Sequence, residues 1–514
     1  MHPTYNNNKY SLFQVLFLSI VVVYALFMWQ GAKGFGLWDE GYFWYGVQRV
    51  TQGEVPIRDF MAYDPGRYYW SAAFMGLLNN HGMMALRASM AIFQAMGLFV
   101  GLWLIVRNGK KQNIFYLLLC ATTLSAWMWA YFKVPDTSIS IFLIGVLVFW
   151  IENPTSRNYF VSGFCIGLAA FFGRNHGVYG IVGSVAAMVW LNFGQVEKIG
   201  FIKGVALWTS GVIVGFMPVL LMALLIPGFA AAFLEMIRFL LFEIKATNLA
   251  LPMPWEWVID FVSLPLIRTI RTVSVSLFFY GILAFGVLSV VWVVWQKIRG
   301  KEVSPVLVAS SFLAFPYAHY AYSRADVWHL ALGIFPLLIG CLVLLAQKSA
   351  KIKYPSAILL CIASVWSVYD MQPGWQCRPS SQCITLNISG SSLLVEPAVV
   401  RDIELLRKLA AQYSPNGQNF VATPFWPGAY ALLERKSPMW EIYALFPRSQ
   451  SFEQAEIERI KLSKPGFALI SNIPVDAELR FPHTHPLIYK YIQDNFELVP
   501  DSSYPYYQIY RAKE

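Results

Sequence analysis

The chain has 514 residues, of which 57% are hydrophobic and only 13% are charged. Soluble domains carry about 25% charged residues, so this composition excludes an ordinary soluble enzyme and indicates an integral membrane protein. The formal net charge is +10. The basic residues form short clusters between apolar segments, which is the positive-inside pattern of membrane proteins. We therefore expect membrane lipids, and no nucleic acid, as partners.

The first long apolar segment, residues 11–29, follows a short polar start. At 1.5 Å rise per residue it is long enough to cross a bilayer as a helix. It is longer than a usual signal-peptide core and lacks a clear small-residue cleavage site. The sequence therefore predicts a retained helix rather than a cleaved signal.

Residues 31–85, which follow this helix, are unusually rich in charged and aromatic side chains. The adjacent acids Asp39 and Glu40 come first, and Glu54, Arg58, Asp59, Asp64 and Arg67 follow. Neighbouring carboxylates at an interface are able to act as a base with an orienting or metal-binding partner. The alternative is an ordinary interfacial loop with an aromatic belt. Residues 68–78 are apolar but short, which favours a helix at the membrane surface.

Further apolar segments favour membrane spans. They are residues 86–106, 114–130, 137–151, 159–172, 178–193, 204–226, 273–295, 306–322, 327–345 and 354–368. With the first helix, this predicts about eleven spans.

The charges of the loops predict the orientation of these spans. Residues 107–112, 296–301 and 347–353 are basic and should be cytoplasmic. The other face then receives residues 31–85, the long segment 227–271 and everything after residue 369. We expect a multi-pass protein of a bacterial inner membrane, with this richly charged face in the periplasm.

The tail, residues 370–514, has the mixed charges and turns of a small soluble domain. Residues 397–413 have the apolar periodicity of an amphipathic helix, and residues 466–473 and 506–511 favour strands. Cys377 and Cys383 lie at its start, in what should be an oxidising compartment, so we expect a local disulfide. The predicted architecture is an α-helical polytopic membrane domain (1–369) and a small α/β extracytoplasmic domain (370–514).

Three other outward loops each carry a cation near a polar partner. The sets are Lys133 with Asp136, Arg174 with His176, and Arg324 with Asp326 and His329. Fixed cations at a membrane face suit a lipid-linked phosphate, although each loop alone also fits a solvated helix end. The sequence has no phosphate-binding glycine loop, and so gives no support to a cytosolic nucleotide-sugar or ATP site.

After the first span, the stretch WDEGYFWYGVQRVTQGEVPIRDFMAYDPGRYYW resembles the first external loop of the GT-C glycosyltransferases. The likeness is to the protein O-mannosyltransferases and the lipid A aminoarabinose transferases. The fitting positions are Asp39, Glu40, Tyr42, Gly53, Pro56, Arg58, Asp59, Phe60, Pro65, Tyr69 and Trp70. Residues 64–67 depart from the usual Pro-Pro-Leu, and Ile57 replaces the usual Tyr. These departures leave the donor sugar and the acceptor open.

This resemblance implies a GT-C fold and an enzyme that moves a hexosyl or pentosyl group from a polyprenyl-phosphate carrier. The acceptor would be a hydroxyl of an extracytoplasmic glycan, such as lipopolysaccharide, or of a lipid or protein, with inversion at the anomeric carbon. By the same likeness, Asp39 is the general base, and Glu40 and Asp136 orient the site or hold a divalent cation if one is used. No cofactor is required.

The resemblance also assigns the remaining site residues. Arg58, Lys133, Arg174, Arg324 and His329 are expected at the donor phosphate, and Tyr42, Asp59, Tyr63 and Asp64 at the substrate. Segment 227–271 is expected to act as a lid.

Two other functions predict different patterns of charge. A transporter or flippase of polyprenyl-linked glycans should carry ionisable residues near the middle of several spans, whereas here the charges cluster at helix ends. An O-antigen ligase or polymerase should depend on Arg and His of a large late external loop and should not need Asp39.

Overall fold

The computed structural model describes residues 12–107, 112–193, 199–244, 265–378, 381–474, 479–500 and 504–513. Over residues 12–376 the described elements are predominantly helical. In chain order the helices are α1 (Leu12–Gln30), α2 (Asp39–Thr51), α3 (Pro65–Leu77), α4 (Met83–Arg107), α5 (Ile114–Ala126), α6 (Val134–Glu152), α7 (Ser156–Phe172), α8 (Arg174–Asn192), α9 (Phe201–Gly215), α10 (Met217–Leu225), α11 (Phe229–Arg238), α12 (Leu266–Ile298), α13 (Pro305–Tyr322), α14 (Val327–Gly333), α15 (Phe335–Ala346), α16 (Ala350–Val368) and α17 (Pro373–Gln376).

The last part of the chain mixes strands and helices. Its elements are β1 (Ile384–Ile388), β2 (Ser391–Val395), α18 (Pro397–Tyr413), β3 (Phe420–Thr423), α19 (Gly428–Leu432), α20 (Gln450–Ser463), β4 (Phe467–Ser471), α21 (Phe481–Thr484), α22 (Pro486–Asn495), β5 (Phe496–Val499) and β6 (Tyr507–Ala512). The helix predicted at 397–413 and the strands predicted near 466–473 and 506–511 are confirmed.

Fewer than eleven of the described helices have the length and composition expected of a membrane span. By length and composition, five of the described helical stretches are able to cross a membrane, and the bent pairs α9/α10 and α14/α15 raise this to seven. Helices α5, α7, α8 and α13 lie where spans are predicted, but each of them is either too short or not apolar enough to count as a span. In α13 the physical reason is burial, because a helix enclosed by protein tolerates Ser310, Ser311 and other polar side chains. The chain is an α-helical polytopic membrane protein, and the count of eleven is not confirmed.

The chain divides into two compact units. The first is Met1–Trp29, Met90–Leu225 and Thr247–Trp375, and the second is Gln30–Ser89, Ile226–Ala246 and Gln376–Glu514. The predicted boundary between residues 369 and 370 stays a prediction. The charged segment 31–85 is grouped with the tail in the second unit, and part of the predicted lid, residues 245–264, lies outside the described residues.

Helices α6 and α13 form the centre of the first unit, since most of their residues are buried. Beside them, α7 and α9 pack at backbone distance through glycines. A Cβ added to Gly211 would lie 2.1 Å from the Phe160 carbonyl oxygen, and one added to Gly163 would lie 2.1 Å from that of Trp208. Small residues are what allow such close packing of apolar helices.

The second unit contains a four-stranded sheet in the order β3-β4-β6-β5. Strands β3 and β4 are parallel, and β6 is antiparallel to both of its neighbours. Every residue of β3 and β4 is buried, which is typical of strands covered on both faces. Ile457, Ile460, Ile488 and Ile492 of α20 and α22 belong to the same apolar core.

Several hydrogen bonds hold segment 31–85 against the tail within the second unit. The Gly34 N–H donates to the Leu394 carbonyl at 2.8 Å, and the Met61 N–H donates to the Trp440 carbonyl at 2.8 Å. The indole Nε1 of Trp440 donates to the Ile57 carbonyl at 2.9 Å. These bonds join residues far apart in the chain, so the tail supports the fold of the charged segment.

The two cysteines of the tail are bonded to each other. Cys377 and Cys383 form a disulfide with Cα atoms 5.6 Å apart, while Cys120, Cys165, Cys341 and Cys361 are free. The disulfide closes a short loop just before β1.

Candidate functional site

The two adjacent acids begin helix α2. Asp39 and Glu40 occupy its first turn, where the unpaired N–H groups and the helix dipole favour negative charge. Both side chains are partly exposed. The helix start therefore presents two adjacent carboxylates.

Glu40 is bound by Arg87, which comes from α4. Arg87 Nε donates to Oε1 and Nη2 to Oε2, each at 2.8 Å. The same guanidinium donates to the carbonyl oxygens of Gly31 and Gly34 at 2.7 and 2.8 Å. Arg87 is 2% exposed, so this is a nearly buried bidentate pair that fixes Glu40 to the chain just before α2. Sequence reasoning missed Arg87 because it lies in an apolar segment that reads as a span.

Aromatic rings extend from the start of α2 into the tail. Trp38 stacks on Phe425 with ring centroids 5.3 Å apart. Tyr42 packs edge-on against Tyr63 at 4.8 Å and is tilted against Tyr443 at 5.8 Å. The structure thus brings the predicted substrate residues Tyr42 and Tyr63 together. Phe425 and Tyr443 were not predicted, because nothing local marks them.

The start of α2 also touches the tail through glycine. A Cβ added to Gly428 would lie 2.7 Å from the Cα of Gly41, and the Gly428 N–H donates to the Leu37 carbonyl at 2.9 Å. Only glycine at both positions allows the two backbones to approach this closely. The position of the paired acids therefore depends on the tail.

Arg58 and Asp59 form an ion pair. Arg58 Nε and Nη2 each donate to an Asp59 oxygen at 2.8 Å, and the Val55 N–H donates to Asp59 Oδ2 at 2.7 Å. Burial by itself would raise the pKa of the Asp59 carboxyl, but Arg58 and the Val55 N–H hold it below its ordinary value. The predicted phosphate-binding Arg58 thus already neutralises a predicted substrate residue.

Glu54 is placed between two cations. Arg49 donates to it at 3.0 Å through Nε, and Lys436 Nζ donates to Oε1 at 2.7 Å. Burial opposes ionisation of this carboxyl, yet the hydrogen bonds from Arg49 and Lys436 lower its pKa. Glu54 therefore has a structural role, because its carboxylate joins Arg49 of α2 to Lys436 of the tail.

Asp64 begins helix α3 as its N-cap residue, and Pro65 follows at the first helical position. Pro at this position is favoured because its missing N–H would have no helical partner. The Arg67 guanidinium lies 4.9 Å from the centre of the Tyr63 ring. Asp64 itself is buried.

Asp136 of the first unit is bound by side chains from two other helices. Its Oδ1 lies 3.1 Å from His176 Nε2, and the Tyr320 hydroxyl donates to it at 3.2 Å. The His176 Nδ1 lies 2.7 Å from the Tyr317 hydroxyl. Asp136, His176 and Tyr317 are all 2% exposed or less, so this network is buried. The two tyrosines were missed because they lie within an apolar helix.

A second cluster lies near this network in the same unit. Asp326 pairs with Arg324 at 2.9 Å and with His329 Nδ1 at 2.8 Å. The Tyr320 and His329 rings are 6.4 Å apart between centroids. Tyr320 thus contacts both Asp136 and the ring of His329, and His329 and Arg324 share Asp326 as a partner.

Lys133 and Arg174 are also partly exposed in the first unit. Lys133 immediately precedes α6, and Arg174 begins α8. Both therefore lie at helix ends, as their loops predict.

Within the part of the chain that is described, no group of three or more His, Cys, Asp or Glu side chains could hold a metal ion. Both oxygens of Glu40 accept hydrogen bonds from the Arg87 cation, which disfavours a second cation at the same carboxylate. Glu40 in this arrangement does not fit a metal ligand.

Comparisons with known proteins identify the fold. ArnT from Cupriavidus metallidurans, in a crystal structure bound to undecaprenyl phosphate, superposes with a TM-score of 0.51 and 12% identity, over 96% of this chain and 97% of that chain. Its apo structure gives 0.51 and 12%, over 96% of each chain. The apo oligosaccharyltransferase of Archaeoglobus fulgidus gives 0.44 and 12%, over 90% of this chain and 70% of that chain. No protein-family model and no curated protein sequence matches the chain.

The chain therefore has the fold of the GT-C membrane glycosyltransferases. More particularly, it shares that fold with ArnT over nearly its whole length. At 12% identity the likeness establishes the fold and leaves the reaction to be argued from the residues.

Proposed function

We propose that the protein is an inverting glycosyltransferase that moves a sugar from a polyprenyl-phosphate carrier to a hydroxyl of an extracytoplasmic acceptor. The observation that carries this proposal is the pair of adjacent acids at the start of α2, one of which is fixed by a buried arginine. Arg87 neutralises Glu40 and fixes it to the backbone before α2, so Glu40 is a positioning residue. We assign the general base to Asp39, its neighbour in the same helical turn, because segment 31–85 resembles the first external loop of the GT-C glycosyltransferases, and that likeness gives Asp39 this role.

The proposed step is a single displacement. The Asp39 carboxylate accepts the proton of the acceptor hydroxyl as that oxygen forms a bond to the anomeric carbon. The bond from the anomeric carbon to the phosphate oxygen breaks, and the polyprenyl phosphate leaves with both electrons. Attack from the face opposite the leaving group inverts the anomeric centre.

The leaving group gains negative charge, so fixed cations are needed near it. We assign this role to the partly exposed Lys133, Arg174 and Arg324, with His329 beside Arg324 through Asp326. Arg58 is a further candidate. A neighbour of the same fold was crystallised with undecaprenyl phosphate bound, which supports a lipid-phosphate donor. No step is assigned to a metal.

The localisation proposed is a bacterial inner membrane with the reaction on the periplasmic face, as the loop charges predict. The acceptor is a glycan, a lipid or a protein, and the sugar is hexosyl or pentosyl.

The test is transfer of labelled sugar from polyprenyl phosphate to endogenous acceptors in membranes. We compare the wild-type chain with Asp39→Asn and, as a matched control, with Asp370→Asn, whose carboxylate forms a partly exposed pair with Arg271. All three proteins are brought to equal abundance. Loss of a general base should lower the transfer rate by roughly 100- to 10,000-fold, with the control near the wild type. Equal transfer by Asp39→Asn and wild type would remove Asp39 as the base.

A further inference from the structure

A groove in the second unit lies between segment 31–85 and the tail. Its volume is about 430 Å³, and its lining includes Arg58, Asp59, Lys436, Trp440 and Arg459. No role proposed above uses this groove as a whole. Its chemistry is mixed, with cations, an indole and small polar groups around one opening.

The groove presents positive charge. Three cationic side chains, Arg58, Lys436 and Arg459, line it against the single lining carboxylate of Asp59. The side chains of Lys436 and Arg459 are 53% and 48% exposed, whereas the Glu54 and Glu456 that pair with them are 15% and 0% exposed. The carboxylates therefore lie beneath the surface and the cations project from it.

These cations keep hydrogen-bonding capacity for a ligand. An ammonium has three donors and a guanidinium five. In the ion pairs of the described residues, Lys436 donates to Glu54 through one contact, and Arg459 donates to Glu456 through Nη1. Such donors bind oxyanions with short, charge-assisted hydrogen bonds.

The remaining lining suits a sugar. Trp440 is partly exposed, and its ring is held by the Nε1 hydrogen bond to Ile57 and by an edge contact with Phe452. A rigid indole face packs well against the apolar face of a pyranose ring. Asn419 and Ser463 also line the groove and are bonded to each other at 2.9 Å, which adds neutral polar groups for hydroxyls.

We propose that this groove binds an anionic saccharide, namely a charged sugar of the acceptor. The inference rests on the proposed transferase function and names the class of its acceptor. The lining residues belong to segment 31–85 and the tail rather than to the long apolar helices, which favours a water-exposed sugar. A lipid-linked donor phosphate shares the oxyanion chemistry and is the rival source.

The experiment is lysine footprinting of the full chain in detergent, which requires no transfer activity. Acetylation of Lys436 is followed by mass spectrometry against Lys461, which is 48% exposed and lies outside the groove lining. The probes are glucose 6-phosphate, glucose, inorganic phosphate and undecaprenyl phosphate. We expect glucose 6-phosphate to slow the acetylation of Lys436 but not that of Lys461, and glucose to have no effect.

Variants test the contacts. Arg459→Gln should weaken the protection by glucose 6-phosphate roughly tenfold, the value of one charge-assisted hydrogen bond. Lys461→Gln, from the same helix, should leave it unchanged. Because Arg459 pairs with the buried Glu456, the thermal midpoint of each variant is measured, and Asn419→Ala provides a second groove variant that leaves this ion pair in place.

Each outcome decides the proposal. Protection by glucose 6-phosphate that both groove variants weaken supports it. Equal protection by inorganic phosphate would overturn the saccharide assignment, and protection by undecaprenyl phosphate alone would assign the groove to the donor. Absence of protection by every probe at millimolar concentration would overturn the site. None of these outcomes depends on Asp39, so failure of the groove and failure of the transfer mechanism are distinguishable.

Discussion

At the scale of single residues, the guanidinium of Arg87 has the clearest structural role. It is almost completely buried, and it neutralises Glu40 while donating to the backbone carbonyl oxygens of Gly31, Lys33 and Gly34. A buried charge that loses its partner is costly. The pair therefore keeps the start of α2 in one position, next to the proposed base.

We predict that Arg87→Met destabilises the protein by about 3–5 kcal/mol, the usual cost of leaving a buried charge unpaired. Sugar transfer should fall as well, because Asp39 shares the helical turn with Glu40. The matched control is Arg511→Met, which breaks the Arg511–Glu497 surface pair, whose side chains are 49% and 55% exposed. That change should cost about 0–1 kcal/mol. Thermal midpoints in detergent provide the measurement, and equal midpoints for the two variants would contradict the role of Arg87.

Because the carboxyl of Asp402 in the tail is partly buried, we predict that the stability of the protein depends on pH. Burial raises the pKa of its carboxyl to about 6, although the Tyr507 hydroxyl, which donates to Oδ1 at 3.2 Å, opposes the shift. The unfolded chain has a pKa of about 4. Because the folded-state pKa is the higher one, ionisation disfavours folding increasingly as pH rises from about 4 to about 6, and by a constant amount above.

Asp402→Asn should therefore raise the thermal midpoint at pH 8 by a few degrees, and the gain should shrink as the pH falls below about 6 and vanish below about pH 4. Asp494→Asn, at an exposed position, is the control and should have little effect at either pH. A gain for Asp402→Asn that is the same at both pH values would show that burial of the charge is not the cause.

At the scale of elements, the packing of α7 on α9 is set by glycines rather than by large apolar side chains. Gly211 and Gly215 of α9 face the backbone of α7, where a Cβ would meet carbonyl oxygens at 2.1 and 2.0 Å. Backbone cannot move aside as a flexible side chain does. The spacing of small residues therefore determines which helices pair.

Gly211→Val should destabilise the protein by about 1–3 kcal/mol through overpacking. Gly76→Ala is the comparison, because a Cβ at Gly76 meets nothing within 4 Å and alanine is the better helix former. Its thermal midpoint should match or exceed that of the wild type. A Gly211→Val midpoint equal to that of the wild type would mean that the two helices separate at little cost.

At the scale of the whole molecule, the orientation predicted from loop charge is open to direct measurement. Lys348 lies in a basic loop that should be cytoplasmic, and Gln418 lies in the tail, which should be external; both are exposed. A membrane-impermeant maleimide should label Gln418→Cys but not Lys348→Cys in intact spheroplasts. Both should react after permeabilisation. The reverse pattern would place the proposed site on the cytoplasmic face, where a lipid-linked sugar donor of this kind would not be required.

The amino-acid sequence by itself determined the class of protein and much of the local structure. Composition and long apolar segments indicated a polytopic membrane protein. The residues around Asp39 and Glu40 resembled the first external loop of GT-C proteins, and the GT-C fold that this resemblance implied for the chain is confirmed. The amphipathic period of residues 397–413 predicted α18 with the bounds observed. These signals depend on residues close together in the chain, so they can be recognised without knowledge of the fold.

The tertiary structure alone decided which side chains meet. Glu40 and Arg87 are 47 residues apart, His176 and Asp136 are 40 apart, and Glu54 and Lys436 are 382 apart. No local pattern selects such partners, because the free energy that joins them comes from burying distant segments together. For the same reason, the sequence did not predict the groove of Arg58, Lys436 and Arg459. The number of spans also stayed undecided, because a helix buried within protein tolerates polar residues that a bilayer alone would exclude.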